Sequence, residues 1–394
     1  MTDNTKNTIN QGNKNIKHFF LLIVLAIIIL SIIYLQSQKA GVKITNTGLN
    51  SSSNNPQANF SANYKDAGKN SKYPMAPDFV GIEKWINSEP LNIAQLKGNV
   101  VLVDFWTYTC INCIRTLPYL KEWDKKYRDK GLVIVGVHTP EFEFEKKYDN
   151  VLKAVKDYNL KYPVAQDNNY VTWSLYQNRY WPHKYLIDID GRIRYDHIGE
   201  GNYEETEMQI QKLLKERMQR MGEKASIDGS TSHPSDMINS SFYDIRTPEI
   251  YFGYQFTRGN LGNADSAKPE DTEKYILPKS ISQNSVYLEG EWKNNADNME
   301  LESDEGSILL IFNSKSVNIV AGSEKGSKLY AFLDNEAESN KNKGSDITIE
   351  KNESTSEIKE FRLYNIGNAQ NYDTHSINLK VKGKGFKIYT FTFG

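Results

Sequence analysis

Cys110 and Cys113 are the residues of this sequence whose type and spacing most directly suggest chemistry. They are the only cysteines in the 394-residue sequence and form one Cys-x-x-Cys motif. The motif follows an apolar run at 100–105 that indicates a buried strand and precedes residues with helical spacing. Free N–H groups and the dipole at a helix N-terminus favour a thiolate there. We therefore predict that Cys110 is the nucleophile that attacks a disulfide and that Cys113 resolves the mixed disulfide.

Two other uses of the cysteine pair remain open from the residues alone. The pair could form an inert internal bridge, although the small ring it closes suits exchange better than bracing. It could also hold Cu(I) or Zn(II) together with His138 or His183. A zinc ribbon is excluded because the sequence has no second Cys-x-x-Cys. We predict no metal and no cofactor.

The composition excludes several broad classes of protein. Apolar residues make up 39% and charged residues 25% of the chain, which are ordinary values for a soluble globular protein. A polytopic membrane protein and a wholly disordered chain are therefore excluded. With 48 Lys and Arg against 49 Asp and Glu, the net charge is −1, so no basic excess points to nucleic acid as a partner.

The N-terminal part predicts a membrane anchor. Residues 19–35 form an apolar run with one serine, about 25 Å long as a helix, which is at the lower edge of what spans a bilayer. The lysine bias is slight but favours residues 1–18 in the cytoplasm and the bulk of the chain outside. Residues 36–74 are rich in Asn, Ser, Gln and Lys and predict a flexible linker. The alternative, a cleaved signal peptide, also places the remainder outside the cytoplasm.

The middle of the chain, residues 75–221, alternates strand-like and helix-like patterns. Residues 100–105 and 132–137 are short apolar runs typical of buried strands, with an apolar helical stripe between them. A hairpin at 184–198 and a helix at 204–221 follow. Alternating strands and helices predict an α/β sheet with helices on both faces.

Four segments of this region resemble the active-site elements of the thioredoxin superfamily. They are Val103-Asp104-Phe105-Trp106-Thr107-Tyr108-Thr109-Cys110-Ile111-Asn112-Cys113, Pro118, Trp181-Pro182 and Ala76-Pro77-Asp78-Phe79. The last of these resembles the membrane-anchored TlpA-like thioredoxins. Within that group, the sequence looks most like the DipZ type. Three segments carry this likeness: Trp-Thr-Tyr-Thr-Cys-Ile-Asn-Cys at 106–113, Val-His-Thr-Pro-Glu-Phe at 137–142 and Tyr-Trp-Pro-His-Lys-Tyr-Leu-Ile-Asp at 180–188.

The resemblance implies a thioredoxin fold for residues 75–221 and roles for four further residues. Asp104 would be a buried acid that takes the proton of the resolving thiol. Pro182 would lie at the cis-proline site and pack against the disulfide. The backbone of Trp181 would bind the partner chain, and Trp106 is a second candidate contact. A strand-edge or capping role for Asp104 and core packing for the two tryptophans remain open.

Two departures from the family pattern leave the direction of electron flow open. Thr109 stands where most thioredoxins carry Trp, and the dipeptide Ile111-Asn112 separates the cysteines in place of Gly-Pro. The DipZ type usually has a multi-span electron-transferring segment, whereas one span is predicted here. The electrons would therefore pass through a separate membrane donor or acceptor of the CcdA type.

Arg115, two residues after Cys113, could stabilise a thiolate, but we predict a solvated helix residue. The alternating Glu141, Glu143 and Glu145 could shape the rim of the site, but we predict a solvated turn.

The C-terminal region predicts a second, all-β domain. Residues 222–240 have the composition of a linker. Between 241 and 394, about eight short strand candidates are separated by Gly, Asn, Asp and Ser clusters, which is typical of a β-sandwich. Its opening Thr247-Pro248-Glu249-Ile250-Tyr251-Phe252-Gly253-Tyr254 and its ending Phe391-Thr392-Phe393-Gly394 again resemble the DipZ type. This resemblance implies a jelly-roll domain similar to carbohydrate-binding modules. Glycan binding, partner docking and simple spacing remain open as its role.

Taken together, these features predict a membrane-anchored, extracytoplasmic thiol-disulfide oxidoreductase. Its substrates would be exported proteins with cysteines or disulfides, including apocytochromes, and not nucleic acid. One alternative is a peroxidase of the peroxiredoxin type, which Thr107 fits, although Val103 stands where that motif requires proline. The others are a non-catalytic surface binding module and a copper carrier.

Overall fold

The computed structural model describes residues 72–224, 226–238, 244–263 and 267–394. The predicted cytoplasmic N-terminus, the predicted anchor at 19–35 and nearly all of the predicted linker at 36–74 lie outside the described residues. Within the described ranges, no helix has both the length and the apolar character needed to cross a membrane.

Residues 84–221 build a mixed six-stranded sheet with four α-helices. The strands are β1 (Lys84–Ile86), β2 (Val100–Trp106), β3 (Leu132–His138), β4 (Val164–Gln166), β5 (His183–Ile187) and β6 (Ile193–Ile198). The helices are α1 (Ile111–Tyr127), α2 (Tyr148–Asp157), α3 (Val171–Leu175) and α4 (Tyr203–Met221). The strand order is β1-β4-β3-β2-β5-β6, and the predicted α/β sheet is confirmed.

Strand β2 lies in the middle of this sheet and is buried along its whole length. It runs parallel to β3 and antiparallel to β5. Successive side chains of a strand point to opposite faces. Val100 and Leu102 accordingly join the core beneath α1, α2 and α4, while Val101 and Val103 join the core on the other face. The side chain of Asp104 falls on the α1 face by the same alternation.

Helix α1 starts directly after the turn that follows β2. Its buried residues Leu117, Leu120, Trp123 and Tyr127 give the apolar stripe that holds it on the sheet. Gly131 ends the helical segment with φ +94°, a conformation that favours glycine. After β3, residues Glu143–Lys146 form a 3₁₀ turn, and α2 follows it.

The C-terminal region is all-β, as predicted, and its eleven described strands are joined in one hydrogen-bonded sheet. They are β7 (Ile250–Tyr251), β8 (Thr272–Tyr275), β9 (Val286–Asn294), β10 (Met299–Leu301), β11 (Glu305–Gly322), β12 (Ser327–Leu333), β13 (Glu336–Ala337), β14 (Thr348–Glu350), β15 (Glu353–Ile358), β16 (Arg362–Lys382) and β17 (Lys387–Phe393). Strands β11 and β16 pair along nearly their whole length. The first half of β11 also pairs with β9, and its second half also pairs with β17. This strand therefore belongs to two parts of the sheet.

The α/β part and the all-β part share a hydrophobic core. Phe142 and Phe144, in the loop after β3, contact aromatic rings of the all-β part. The Phe144 and Tyr389 ring centroids are 4.7 Å apart, and those of Phe144 and Phe361 are 5.4 Å apart. Tyr251 also belongs to this cluster. Because the loop after β3 lies beside the cysteine motif, the all-β part packs close to the site.

Candidate active site

The structure places Cys110 at the N-terminus of α1. Cys110 is the N-cap residue, with extended backbone angles, and its Sγ accepts the backbone N–H of Cys113 at 3.4 Å. Cys110 is half-buried, Cys113 is buried, and both are free thiols. The thiol of Cys110 therefore points at the free N–H groups of the helix, where negative charge is favoured.

A second element reaches Cys110 from the segment before β5. The Trp181–Pro182 peptide bond is cis. The carbonyl oxygen of Trp181 lies 3.8 Å from the Cys110 Sγ. The indole Nε1 of Trp181 donates to the Thr139 carbonyl at 3.0 Å, which fixes the tryptophan beside the site. Cys110 and the predicted cis-proline segment, 71 residues apart in sequence, are thus brought together.

Asp104 lies on β2, buried on the same face of the sheet as α1. Its side chain is 1% exposed, and burial raises its pKa to about 7. Its Oδ1 has no hydrogen-bond partner among the described protein groups. Burial also raises the pKa of the Cys113 thiol well above its usual value, and the charges of Cys110 and Asp104 add to this effect. A carboxyl group that titrates near neutral pH, beside a thiol that does not readily lose its proton, has the properties of a general base.

Lys184 is a feature of the site that the sequence analysis missed. It lies on β5 directly opposite Asp104 in the register of β2 and β5, and it is fully buried. Its Nζ donates to the Gly199 carbonyl at 2.9 Å. A lysine inside a strand with apolar neighbours was the available signal, because lysine is almost never fully buried without a partner.

Trp106, predicted as a contact for a partner, is a core residue in this structure. Its side chain is 1% exposed and packs edge-on against His138, with ring centroids 5.4 Å apart. We therefore leave Trp106 out of the proposed partner surface. Trp181 is half-buried and packs on Trp173 at 4.3 Å, so part of it remains accessible.

The expectation that Arg115 is solvated is wrong. Its side chain is 2% exposed and forms an ion pair with Glu200 at 2.9 Å. Its Nη2 also donates to the carbonyl of Phe393, in the last strand of the all-β part. Arg115 is buried by contacts with residues that are far away in sequence. The local pattern around Arg115 cannot indicate such contacts.

The expected solvated turn around residues 141–145 is also wrong for two of its three glutamates. Glu145 is fully buried and accepts the Thr109 hydroxyl at 2.6 Å, one residue before Cys110. Glu141 is half-buried and lies 2.9 Å from the Tyr251 hydroxyl of the all-β part. Glu143 is exposed, as predicted.

The two histidines considered as metal ligands have other contacts. His138 is buried, with Nε2 3.4 Å from the Thr107 hydroxyl, and burial lowers its pKa to about 3. His183 lies between Asn178 and Asp196, at 2.6 and 3.0 Å. Across the described ranges, no group of three or more His, Cys, Asp or Glu residues is placed to hold a metal ion.

Comparison with known proteins identifies two matched regions. Residues 69–214 match the family model described as Redoxin. Residues 247–394 match the model described as Thioredoxin like C-terminal domain. The six-stranded sheet and the all-β part thus correspond to separately recognised families.

Several named proteins are similar to this chain. The DipZ proteins of Mycobacterium bovis and Mycobacterium tuberculosis are each 39% identical over 252 residues, which cover 63% of this chain and 35% of each DipZ. This chain therefore spans about a third of the length of those relatives. The thiol-disulfide oxidoreductase ResA of Bacillus cereus is 33% identical over 138 residues, covering 35% of this chain and 76% of ResA. Among solved structures, the thioredoxin domain of a Bacteroides vulgatus thiol-disulfide oxidoreductase is 26% identical, with a TM-score of 0.30, and covers 36% of this chain and 99% of that domain.

Proposed function

The chain belongs to the DipZ/ResA-type thiol-disulfide oxidoreductases of the thioredoxin superfamily, and from this membership we propose that it exchanges disulfides with partner proteins through Cys110 and Cys113. One observation carries the proposal: the half-buried Cys110 Sγ lies at the N-terminus of α1, 3.8 Å from the carbonyl of the residue before cis-Pro182. The proposed nucleophilic sulfur and the backbone carbonyl that is proposed to bind a partner chain thus lie side by side.

The proposed reaction has two steps when the chain acts as the reductant. The Cys110 thiolate attacks one sulfur of a partner disulfide, and the other partner sulfur leaves as a thiolate that takes up a proton. Cys113 then gives its proton to Asp104 and attacks the Cys110 sulfur. The bond between Cys110 and the partner breaks, the partner leaves as a second thiolate, and the Cys110–Cys113 disulfide forms. The partner gains two electrons and the pair loses two; oxidation of a partner follows the same steps in reverse.

Trp181 and Asp104 have separate parts in this proposal. The backbone of Trp181 binds the partner chain beside Cys110, because its carbonyl is directed at the sulfur and its indole is held by Thr139. Asp104 accepts the Cys113 proton, which its burial and its pKa of about 7 support. Pro182 fixes the segment that carries the Trp181 carbonyl.

We also propose the cellular setting predicted from the sequence. The apolar run at 19–35 anchors the chain in the cytoplasmic membrane, and the site acts outside the cytoplasm on exported proteins. A separate membrane protein of the CcdA type exchanges electrons with the cysteine pair. The all-β part is proposed to be a jelly-roll domain that docks or spaces these partners, since it packs against the loop beside the site.

Trapping of mixed disulfides tests the proposed function. In Cys113→Ser, Cys110 still attacks but nothing resolves the product, so covalent complexes with partner proteins should accumulate. Cys110→Ser should trap few or none, because its remaining thiol is buried. Equal trapping by both variants, or by neither, would contradict the assigned roles.

The peroxidase alternative is tested with the same protein. Hydrogen peroxide and a disulfide-bonded protein are offered separately to the reduced protein, and the rate at which Cys110 is oxidised is measured. We expect faster oxidation by the disulfide. Faster oxidation by peroxide would favour a thiol peroxidase. Thr107 lies three residues before Cys110 and is buried against His138, so its hydroxyl is not directed to the surface.

A further inference from the structure

A groove beside the cysteine motif has walls from both parts of the protein. It encloses about 410 Å³ and is lined by Asn112 of α1, by residues 245–249, which precede β7, and by Phe393 of β17. Asn112 lies between Cys110 and Cys113 in sequence, so the groove begins within one helical turn of the two sulfurs. The exchange reaction itself does not require such a groove, so its presence there needs another explanation.

Buried bonds of Thr247 hold the wall from the all-β part in place. The Thr247 hydroxyl donates to Asn284 Oδ1 at 2.7 Å and accepts the backbone N–H of Asn313 at 2.6 Å. The backbone N–H groups of Arg246 and Thr247 both donate to the Asn313 carbonyl. Thr247 is buried, whereas Arg246 and Pro248 on either side of it are exposed. The chain therefore presents these two exposed side chains from a fixed backbone.

Arg115 joins the two walls of the groove. Its Nη2 donates to the Phe393 carbonyl at 3.0 Å, and its Nη1 lies 3.5 Å from Asn112 Oδ1. The Arg115 side chain is buried, so these contacts are shielded from water. Because one buried side chain contacts both walls, the groove is already formed before a partner arrives. A preformed groove reduces the ordering cost of binding.

Arg246 gives the groove a positive charge. It is exposed, and across the described ranges its guanidinium makes neither an ion pair nor a hydrogen bond. Glu249, the acidic residue of the lining, is half-buried, and its Oε2 lies 2.9 Å from the Tyr251 hydroxyl. Pro248 and Phe393 add apolar surface. A groove with apolar walls and an exposed cation is complementary to an extended peptide that carries a carboxylate.

The groove lies where a bound partner chain has to pass. A partner chain continues in both directions from the cysteine that bonds to Cys110. The Trp181 carbonyl, 3.8 Å from the Cys110 Sγ, is the proposed contact for one flank of that cysteine. Asn112 leads from the motif into the groove for the other flank. An extended residue spans about 3.3–3.6 Å, so the first few residues beyond the partner's cysteine are long enough to enter it.

We propose that this groove binds the extended segment next to the attacked cysteine of an exported protein, and that Arg246 selects segments with Asp or Glu within a few residues of that cysteine. The inference rests on the proposed function and names a feature of its substrates. Arg246 does not take part in the exchange step. It is a binding residue that favours the encounter with an acidic segment.

Disulfide-linked peptide dimers test this selection. Each dimer joins two copies of a short glycine- and serine-based peptide with one cysteine, so attack on either sulfur gives the same product. Asp is placed in turn at successive positions on either side of the cysteine, and Asn at the same position is the uncharged match. The oxidation rate of the reduced protein is divided by the rate at which dithiothreitol reduces the same dimer. At positions on one flank, Asp should exceed Asn by about threefold.

Matched variants separate the groove from the overall charge of the protein. Arg246→Gln should bring the ratio of the Asp and Asn rates close to one, and Arg246→Lys should keep most of the preference. Lys274→Gln removes an exposed cation of β8, outside the groove, and should keep the wild-type ratio. The proposal is overturned by a ratio of one in the wild type, by a preference that persists in Arg246→Gln, or by an equal loss in Lys274→Gln.

Photo-cross-linking shows where the partner segment lies. In Cys113→Ser, a peptide with a diazirine side chain on the preferred flank is trapped on Cys110 and irradiated. Cross-links should form with residues 245–249 or Phe393, and a diazirine on the other flank should give few there. Cross-links that avoid the groove would overturn the proposal. A dimer of the protein that Arg246→Gln dissociates would assign the groove to a second copy of the chain and would also overturn it.

Failure of the proposed function gives a different result. In that case no peptide is trapped on Cys110 in Cys113→Ser, and the reduced protein reacts with none of the dimers, whatever their sequence. Failure of the present inference alone leaves a protein that exchanges disulfides with every dimer but does not distinguish Asp from Asn.

Discussion

Arg115 of α1 donates a hydrogen bond from its Nη2 to the backbone carbonyl of Phe393 in β17, at a distance of 3.0 Å. The helix that carries the cysteine pair is thus joined to the last strand of the all-β part. A second bond reaches the same part from the other side of the motif, where the Tyr108 hydroxyl donates to the Phe361 carbonyl at 3.2 Å. The all-β part therefore holds the motif on two sides.

Replacing Arg115 tests how much this contact between α1 and β17 contributes to stability. In Arg115→Met, the Phe393 carbonyl loses a buried donor and Glu200 loses its counter-charge. We expect the free energy of unfolding in urea to fall by about 3 kcal/mol. Arg128→Met is the control, because Arg128 pairs with Asp124 from a half-exposed position and should cost less than about 1 kcal/mol. Equal losses in both variants would show that the buried contacts of Arg115 contribute no more to stability than a partly exposed ion pair.

The ionisation of Asp104 should make the protein less stable as pH rises. Its pKa is about 7 in the folded state, above its ordinary value near 4, so the folded state binds the proton more tightly. Stability is therefore lost between about pH 4 and pH 7, by up to about 4 kcal/mol. Asp104→Asn, which carries no charge, should be more stable than wild type at pH 8 and similar to it at pH 4. Urea unfolding at both pH values measures the difference.

The same variant should be a poorer enzyme, which a purely structural role for Asp104 does not predict. Without a proton acceptor, release of the second thiolate by Cys113 should slow by a factor of about 100 at pH 8. A variant that gains stability and keeps the wild-type resolution rate would remove Asp104 from the mechanism.

The sequence predicts the cysteine motif, its flanking strand and helix and the cis-proline segment, because each depends on local pattern. Arg115 and Glu145 were expected in solvent and are buried, since the residues that cover or contact them are distant in sequence. Strand β11 is longer than the short strands that the sequence predicts for the C-terminal region. Its pairing with β16 shifts in register near Ser314, and this irregularity does not end the strand. Local pattern thus cannot show which polar residues a second sheet will bury.

A shared proton at the contact between the two parts gives a second pH dependence. The Tyr251 hydroxyl lies 2.9 Å from Glu141 and 2.9 Å from Glu249, but it can donate to only one of them. The tyrosine hydroxyl can therefore bond to both glutamates only if one of the two carboxyl groups is protonated and donates to the hydroxyl oxygen. Burial, together with the charges of Glu145 and Glu249, raises the pKa of Glu141 to about 8.

Ionisation of Glu141 should lower the free energy of unfolding as the pH rises from about 5 to about 8. A raised pKa in the folded state means that stability falls with pH until the group is ionised. In an Asp104→Asn background, the free energy of unfolding should decline from pH 6 to pH 8, and Glu141→Gln should flatten this decline. Glu143→Gln, at an exposed neighbouring position, should leave it in place. An unchanged slope in Glu141→Gln would assign the pH dependence elsewhere.

The hydroxyl of Thr109 should contribute to stability through Glu145. The bond between them is 2.6 Å long and both residues are buried. The other oxygen of Glu145 accepts the backbone N–H groups of Glu141 and Phe142, so the carboxylate joins the cysteine turn to the loop after β3. In Thr109→Val, this carboxylate loses one buried donor, which should lower the free energy of unfolding by about 1–3 kcal/mol. Thr109→Ser keeps the hydroxyl and loses one methyl group, so it should cost about 1 kcal/mol or less. Urea unfolding of the two variants separates the hydrogen bond from the packing, and equal losses would mean that the hydroxyl adds nothing at this position.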